Sequence, residues 1–274
     1  MKYFSLFLFL AAFGATAMGQ QQWQLRLGGG YDFSAASQYM LTQTNGNATS
    51  TNYRSVNSSF GRGLGFNADI TCWINRYFGF TAGGAWHNTL PEVKGHSNFS
   101  GFEYGSEEDN NWRSSTVVAT AGITLKVPDT KLNPYARMSM LLPVYTRVTN
   151  DADWKDYSMF NNSSGTSQHV YRLRNTVGYN AALGIAPALS KHTAVFAEIN
   201  IQSLAILARH STMTSYKQNG VEQIDSYSVY SRETDYVKKM DTSYPYNADA
   251  PNRQLTFSFP YSSIGIHIGV SFKL

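Results

Sequence analysis

The feature of the sequence that most constrains its fold is a repeated alternation of apolar and small polar residues. In the segment Ile264–Leu274, apolar residues stand at every second position, with Gly, His, Ser and Lys between them. Successive side chains of a β-strand point to opposite faces, so this spacing predicts a strand with one apolar and one polar face. The same pattern predicts further strands near residues 23–32, 64–71, 78–87, 116–125, 135–144, 173–185 and 195–202.

The connections between these eight segments alternate between short and long. Short turns are predicted near residues 75–76, 128–133 and 190–193, and long polar segments near 35–58, 89–112, 150–169 and 209–255. Tilted strands of about 9–11 residues are long enough to cross a bilayer. The pattern therefore predicts an all-β fold: an up-and-down antiparallel transmembrane β-barrel of eight strands with long extracellular hairpin loops. Both termini would lie on the periplasmic side, with the short turns.

Composition favours lipid, and not water, around the apolar face. Charged residues make up 15% of the chain and aromatic residues 14%, whereas soluble domains carry about 25% charged residues. The polar faces hold mainly Gly, Ser, Thr and Asn, which fit a narrow interior better than a water-facing surface. A soluble lipocalin-like barrel is the alternative fold. The net charge of +4 is weak and scattered, so we expect no nucleic-acid partner.

The first residues predict export of the protein. Met1-Lys2 is positively charged, Tyr3–Phe13 is almost entirely apolar, and small residues follow at 14–19. This order is typical of a signal peptide over residues 1–19, cleaved after Ala17 or Gly19. The apolar run is too short for a transmembrane helix, which needs about 20 residues. Residues 20–274 are then predicted to form a single barrel domain.

These features resemble those of the small eight-stranded outer-membrane barrels of the OmpA transmembrane-domain and OmpX kind. The resemblance covers essentially all of the mature sequence and rests on the strand pattern and the closing strand Ile264–Leu274. It implies the outer membrane of a Gram-negative bacterium, with lipid and lipopolysaccharide around the barrel. Family barrels commonly end in an aromatic residue that the barrel-assembly machinery reads. Here the chain ends Phe272-Lys273-Leu274, so the aromatic residue lies two positions earlier, on the same face.

Ionisable residues at inward-facing positions are the most unusual feature of the predicted strands. They are Arg26, Asp69, Lys126, Arg137, Glu198 and His267, and Asp32 and His87 are placed nearer the outer mouth. Such groups at membrane depth are costly and need partners, so a functional role is the first hypothesis. An eight-stranded barrel is only just wide enough for its own side chains, and mixed charges would pair across it. We therefore expect a plugged lumen, with a narrow porin-like channel as the alternative.

The sequence assigns no catalytic, cofactor or metal site. His96-Ser97 and His210-Ser211 suggest nucleophilic catalysis, but neighbouring side chains on a strand point to opposite faces and could not share a proton. The acidic residues at 107–109 and at 151, 153 and 156 lack EF-hand spacing, and the histidines lack zinc spacing. We expect a protein that is not an enzyme, with a lipid-modifying enzyme or protease of the outer membrane as the remaining alternative.

The long loops are expected to carry the function. Asn45-Gly46 and Asn219-Gly220 predict hairpins, because both central residues of a type I′ turn need positive φ. Several tyrosines in the last loop suit either a recognition surface or cross-strand packing. We expect an integral outer-membrane protein whose loops act in surface interaction or envelope integrity, toward an extracellular ligand of unknown identity.

Overall fold

The computed structural model describes residues 22–35, 38–47, 49–101, 104–128, 130–158, 162–174, 176–240 and 246–274. The predicted signal peptide, residues 1–19, lies outside these ranges. In chain order the strands are β1 (Gln22–Ser34), β2 (Gln38–Asn47), β3 (Thr51–Ser58), β4 (Gly63–Trp73), β5 (Phe78–Thr89), β6 (Val93–Ser100), β7 (Tyr104–Lys126), β8 (Pro134–Ser158), β9 (Asn162–Leu173), β10 (Gly178–Ile185), β11 (Thr193–Ser203), β12 (Ala205–Gln218), β13 (Val221–Glu222), β14 (Glu233–Val237), β15 (Asn252–Leu255), β16 (Ser258–Pro260) and β17 (Ser263–Lys273).

The all-β prediction is confirmed. In the described ranges, helical structure is confined to two short turns, Ile224–Ser226 and Val229–Arg232. No helix in that part of the chain is long and apolar enough to cross a membrane.

Eight of the strands pair in a closed ring, in the order β1, β4, β5, β7, β8, β10, β11, β17 and back to β1. All of these pairings are antiparallel. The ring closes where β1 pairs with β17, from Gln24 opposite Lys273 to Ser34 opposite Ser263. Every strand of the ring therefore has a hydrogen-bonded neighbour on both sides, which removes the free edges that an open sheet would have.

Alternation along the ring strands separates an apolar outer face from a polar interior, as the sequence pattern predicts. In β17, the Ile266 and Ile268 side chains are 59% and 65% exposed, whereas His267 between them is 3% exposed. In β8, Met138 is likewise exposed and Arg137 is buried. The predicted apolar row of the closing strand is thus an outward-facing row.

Beyond the ring, on the side away from the short turns, the sheet continues into a region that we call the extension. It contains β2, β3, β6, β9 and β12–β15, together with residues 105–112 of β7 and 147–157 of β8. Strands β7 and β8 run through both regions and are 23 and 25 residues long. The predicted long loops therefore consist mainly of strands.

One predicted strand is wrong in its extent. The sequence pattern predicts a single strand over residues 173–185, but β9 ends at Leu173 and β10 begins at Gly178. The two segments have different neighbours: β9 pairs with β12 in the extension, and β10 pairs with β11 in the ring. Periodicity continues across the break because it reports which face a residue occupies and carries no information about the neighbouring strand.

The Asn219-Gly220 turn is confirmed. Both residues have positive φ, 50° and 81°, and they join β12 to β13 with Gln218 opposite Val221. This is the geometry that a type I′ turn requires. Beside the turn, the Glu222 carboxylate accepts hydrogen bonds from the Tyr216 N–H and the Ser215 hydroxyl, which hold the pKa of Glu222 below its ordinary value.

The turn predicted at Asn45-Gly46 is wrong in position. Strands β2 and β3 do form a hairpin, but Asn45 pairs with Asn52 inside its ladder. The Asn47 side-chain oxygen accepts the backbone N–H groups of Thr49 and Ser50, at 3.0 and 2.8 Å. Such hydrogen bonds from an Asn side chain stabilise a turn locally, so the chain reverses after Asn47.

Replacing Gly220 tests the turn. Gly220→Val places a β-branched side chain at positive φ, and we expect it to destabilise the hairpin by about 1–2 kcal/mol. A Cβ atom at Gly220 meets nothing within 4 Å, so the backbone conformation alone accounts for the loss. Amide hydrogen exchange at residues 216–222 would measure it. The control Gly220→Asn should retain protection, because Asn tolerates positive φ; equal protection in Gly220→Val would contradict the turn geometry.

Candidate functional site

Four charged side chains meet inside the ring and form what we call the lumen network: Arg26, Asp69, Arg137 and Glu198. Arg26 Nη2 donates to Glu198 Oε2 at 2.8 Å, and Arg137 Nη2 donates to Glu198 Oε1 at 2.8 Å. Arg137 Nη1 also pairs with Asp69 Oδ2. All four residues are buried. The network therefore holds two positive and two negative groups in direct contact, away from bulk solvent.

The network reaches across the whole interior. Arg26 on β1 and Glu198 on β11 are separated by β17, and Glu198 and Arg137 on β8 are separated by β10. The pair of Arg137 with Asp69 on β4 spans two intervening strands, β5 and β7. Asp69 then lies directly opposite Arg26 in the β1–β4 ladder. Three ion pairs and this one ladder position thus connect the four residues around the ring.

Aromatic rings support Arg26 on two sides. Its guanidinium carbon lies 4.5 Å from the centre of the Tyr135 ring and 4.1 Å from that of Phe196. The Tyr135 hydroxyl donates to Glu198 at 2.7 Å and accepts from Arg26 at 2.7 Å. Stacking and bidentate pairing both suit the planar guanidinium group. The neighbouring Gly269 leaves space here, because a Cβ atom on it would lie 2.6 Å from the Phe196 ring.

The other two predicted lumen residues lie elsewhere. Lys126 lies nearer the short turns, with its Nζ atom 3.7 Å from the centre of the Trp73 ring. His267 forms a second buried group, in which its Nε2 atom is 3.2 Å from Asp32 Oδ1 and His87 Nδ1 is 3.4 Å from Asp32 Oδ2. The six residues predicted as one network are therefore divided among three places. The sequence prediction did not include Tyr135, which hydrogen-bonds to the lumen network, although Tyr135 shares the inward parity of Arg137.

An apolar cluster closes the interior where the ring meets the extension, and we call it the cap. It consists of Phe60, Val118, Leu141, Val148, Leu204, Ile206, Ala208, Tyr236, Phe259 and Tyr261. Backbone bonds tie its crossing segments together: Phe60 N–H donates to the Pro260 carbonyl, and Tyr261 N–H donates to that of Leu204, both at 2.8 Å. Phe60 and Tyr261 are each 1% exposed. The cap is thus a packed core and not a loose loop.

A cavity of about 500 Å³ opens at the opposite end of the ring, among the short turns. Its lining includes Gln24, Trp73, Lys126 and Ser271, and it extends inward to Arg26 and Tyr135. Arg26 is therefore the member of the lumen network that lines this cavity. The inward-facing residues of β1 follow the same order from the short turns toward the extension: Gln24 lines the cavity, Arg26 belongs to the lumen network, and Asp32 belongs to the group with His87 and His267.

The two His-Ser pairs considered in the sequence do not form His-Ser contacts. His96 Nδ1 lies 2.7 Å from Asp109 Oδ1. His210 Nδ1 lies 2.8 Å from Asp235 Oδ1, its Nε2 lies 3.1 Å from Thr212 Oγ1, and Ser211 instead contacts the Tyr236 hydroxyl at 3.2 Å. Both histidines therefore pair with a carboxylate on a neighbouring strand, which sequence spacing cannot reveal.

Comparison with known proteins gives one family match. The family model described as "Outer membrane protein beta-barrel domain" matches residues 5–223. No curated protein matches the sequence significantly. Among solved structures, the chain is similar to the outer membrane protein OprG from Pseudomonas aeruginosa. The sequence identity is 10%, the match covers 93% of this chain and 96% of that chain, and the TM-score is 0.37.

Removing the central carboxylate tests whether the lumen network is a single unit. Glu198→Ala leaves Arg26 and Arg137 without their shared acceptor, and we expect the free energy of unfolding to fall by about 3–5 kcal/mol. Urea unfolding in detergent micelles would measure the loss. The matched control is Glu92→Ala, which removes an exposed partner 3.8 Å from Arg113 and should cost about 0–1 kcal/mol. Equal effects of the two substitutions would show that Glu198 is not needed to hold the two buried arginines.

Proposed function

Because the chain belongs to the outer membrane protein beta-barrel domain family, whose model matches residues 5–223, we propose that it is a plugged eight-stranded barrel that acts through its extension. In this proposal the ring crosses the outer membrane, the short turns and both termini face the periplasm, and the extension lies outside the cell. The protein then serves in surface interaction or envelope integrity, without catalysis.

The lumen network is the observation that carries this proposal. Its ion pairs join side chains on β1, β4, β8 and β11 across the interior. An eight-stranded barrel has an interior just wide enough for side chains to fill. A conducting path would have to separate these pairs, and removal of a partner leaves an uncompensated buried charge at a cost of about 3–5 kcal/mol. The network therefore favours a closed lumen.

The cap adds a second closure at the other end. Its side chains are mainly apolar and tightly buried, so a hydrated ion that passed the network and the group of Asp32, His87 and His267 would meet a packed, largely hydrocarbon layer. An ion in such a layer pays a large desolvation cost. Closure at two levels by different chemistry supports a role in which nothing crosses the barrel.

The extension supplies an exposed surface for partners. Tyr53 and Tyr157 are exposed on its strands, and tyrosine offers large contact area at low entropic cost. The tyrosines of the last loop also pack on aromatic neighbours, as Tyr216 does on Trp154, so packing accounts for part of the tyrosine content. We propose three partners: lipid and lipopolysaccharide around the ring, the barrel-assembly machinery at the closing strand, and an extracellular ligand at the extension.

Planar-bilayer recording tests the plug. The purified protein should insert without steady, ion-selective conductance, because the lumen network and the cap both block the interior. The double substitution of Arg137→Met with Glu198→Met should leave this unchanged, since apolar side chains of similar size still fill the space. Arg26 and Asp69, which lose their partners, lie directly opposite each other in the β1–β4 ladder and can compensate each other's charge. Steady selective openings of the unsubstituted protein would contradict the plug.

A narrow channel is the second candidate, and the cavity among the short turns is the observation that favours it. This cavity of about 500 Å³ opens part of the lumen, and only the layers from Arg26 to the cap separate it from the extension. Rearranged ion pairs could join the two sides. The bilayer recording decides between the candidates, because a channel predicts selective openings that Arg137→Met alters.

Surface labelling of intact cells tests the proposed orientation. In a Cys72→Ser background, Tyr53→Cys in the extension and Leu189→Cys in a short turn give matched sites, 73% and 67% exposed. A membrane-impermeant maleimide should label Tyr53→Cys in intact cells and Leu189→Cys only after permeabilisation of the outer membrane. Labelling in the reverse pattern would contradict periplasmic termini.

A further inference from the structure

One face of the extension gathers metal-ligating side chains from three neighbouring strands. His96 on β6 lies directly opposite Asp109 on β7, and Asp109 lies directly opposite Asp153 on β8. Glu107 stands two residues before Asp109 and so shares its face. The intervening Glu108 points to the other face, where its carboxylate accepts a hydrogen bond from Asn110. The strand register therefore places Glu107 and Asp109 on one face with His96, and Glu108 on the other face.

The donor atoms converge. His96 Nδ1 lies 2.7 Å from Asp109 Oδ1, and one donor atom each from His96, Glu107 and Asp109 lies within 4.8 Å of the others. These side chains are partly exposed, with 40% of His96 and 55% of Asp109 open to solvent. Solvent can therefore reach the group and complete the coordination of an ion held there.

Negative charge is concentrated beside His96 on this face. Glu107, Asp109 and Asp153 carry three negative charges. Two positive charges lie near them: Lys155, whose Nζ atom lies 3.8 Å from Glu107 Oε2, and Lys94, which stands two residues before His96 on the same face. Asp109 and Asp153 occupy directly opposite positions, where like charges destabilise a strand pair. A divalent ion between His96 and the carboxylates would relieve this repulsion.

We propose that His96, Glu107 and Asp109 bind a divalent transition-metal ion of the Zn²⁺ type, with Asp153 providing further negative charge. Imidazole nitrogen suits such ions, whereas Ca²⁺ and Mg²⁺ prefer sites made entirely of oxygen. Three protein ligands plus water is a common arrangement for zinc. The ion would join β6 to β7 at the outer part of the extension.

His210 provides an internal comparison. It also contacts two carboxylates, but Asp235 lies at its Nδ1 atom, at 2.8 Å, and Glu233 at its Nε2 atom, at 3.8 Å. The two carboxylates therefore lie at different ring nitrogens and cannot converge on one ion beside a single nitrogen. His210→Ala is thus the matched control, because it removes a histidine with the same kind of carboxylate contact.

Calorimetric titration of the detergent-purified protein with Zn²⁺ tests the proposal. We expect one ion per chain, and His96→Ala should weaken binding by at least about tenfold, since loss of even an outer partner weakens metal sites by about 10–100-fold. His210→Ala should leave the affinity unchanged. Circular dichroism would verify that both variants remain folded. Binding that is absent, or that His96→Ala leaves intact, would overturn the assignment.

Charge and pH give independent readouts on the same site. Lys155→Met should tighten Zn²⁺ binding, because it removes the ammonium group beside Glu107, and Asp153→Asn should weaken it. Affinity should also fall in acid, because protons compete with the metal ion for the same ligand atoms. Displacement of Zn²⁺ by equimolar Ca²⁺ would contradict a histidine ligand, because it would indicate a site made of carboxylates.

Discussion

The pairing of β1 with β17 is the contact on which the rest of the molecule depends. In hydrocarbon there is no water to satisfy backbone N–H and C=O groups, so a membrane-crossing sheet must close on itself. The antiparallel register from Gln24–Lys273 to Ser34–Ser263 provides this closure. Once the ring is closed with its apolar side chains outward, every polar side chain of opposite parity must lie in a narrow common interior.

The chemistry of the interior follows from this narrow space. Charged groups that are withdrawn from water must meet partners, and the lumen network meets that demand with Arg26 and Arg137 sharing Glu198. The aromatic rings of Tyr135 and Phe196 cover the Arg26 guanidinium, and small residues such as Gly269 leave room for them. The interior is therefore layered, with a cavity near the short turns, ion pairs next to it, and the apolar cap toward the extension.

The extension depends on the ring because β7 and β8 belong to both. These two long strands continue from the ring into the extension, with one register shift between Val117 and Val118, and β6 and β9 pair with them there. A slip of one residue would turn every side chain to the other face. The meeting of His96 with Asp109 is therefore a consequence of a ladder anchored in the ring, and the loops present their side chains from an ordered sheet.

The sequence by itself determined the all-β composition, the inward or outward face of each ring residue and the burial of Arg26, Asp69, Arg137 and Glu198. It could do so because period-two alternation is a local property and states directly which face a side chain occupies. The Asn219-Gly220 turn was also predictable, since positive φ is a local demand on residue type. The same dipeptide at Asn45-Gly46 lies inside a ladder, so residue type alone did not fix where a hairpin turns.

Tertiary structure alone decided which side chains meet. It placed His267 beside Asp32 instead of in the lumen network, and it brought His96 on β6 against Asp109 on β7. It also divided residues 173–185 between β9 in the extension and β10 in the ring. Each of these outcomes depends on which strands are neighbours. Parity gives the face of a residue but not its cross-strand partner, which depends on strand order and register around the closed ring.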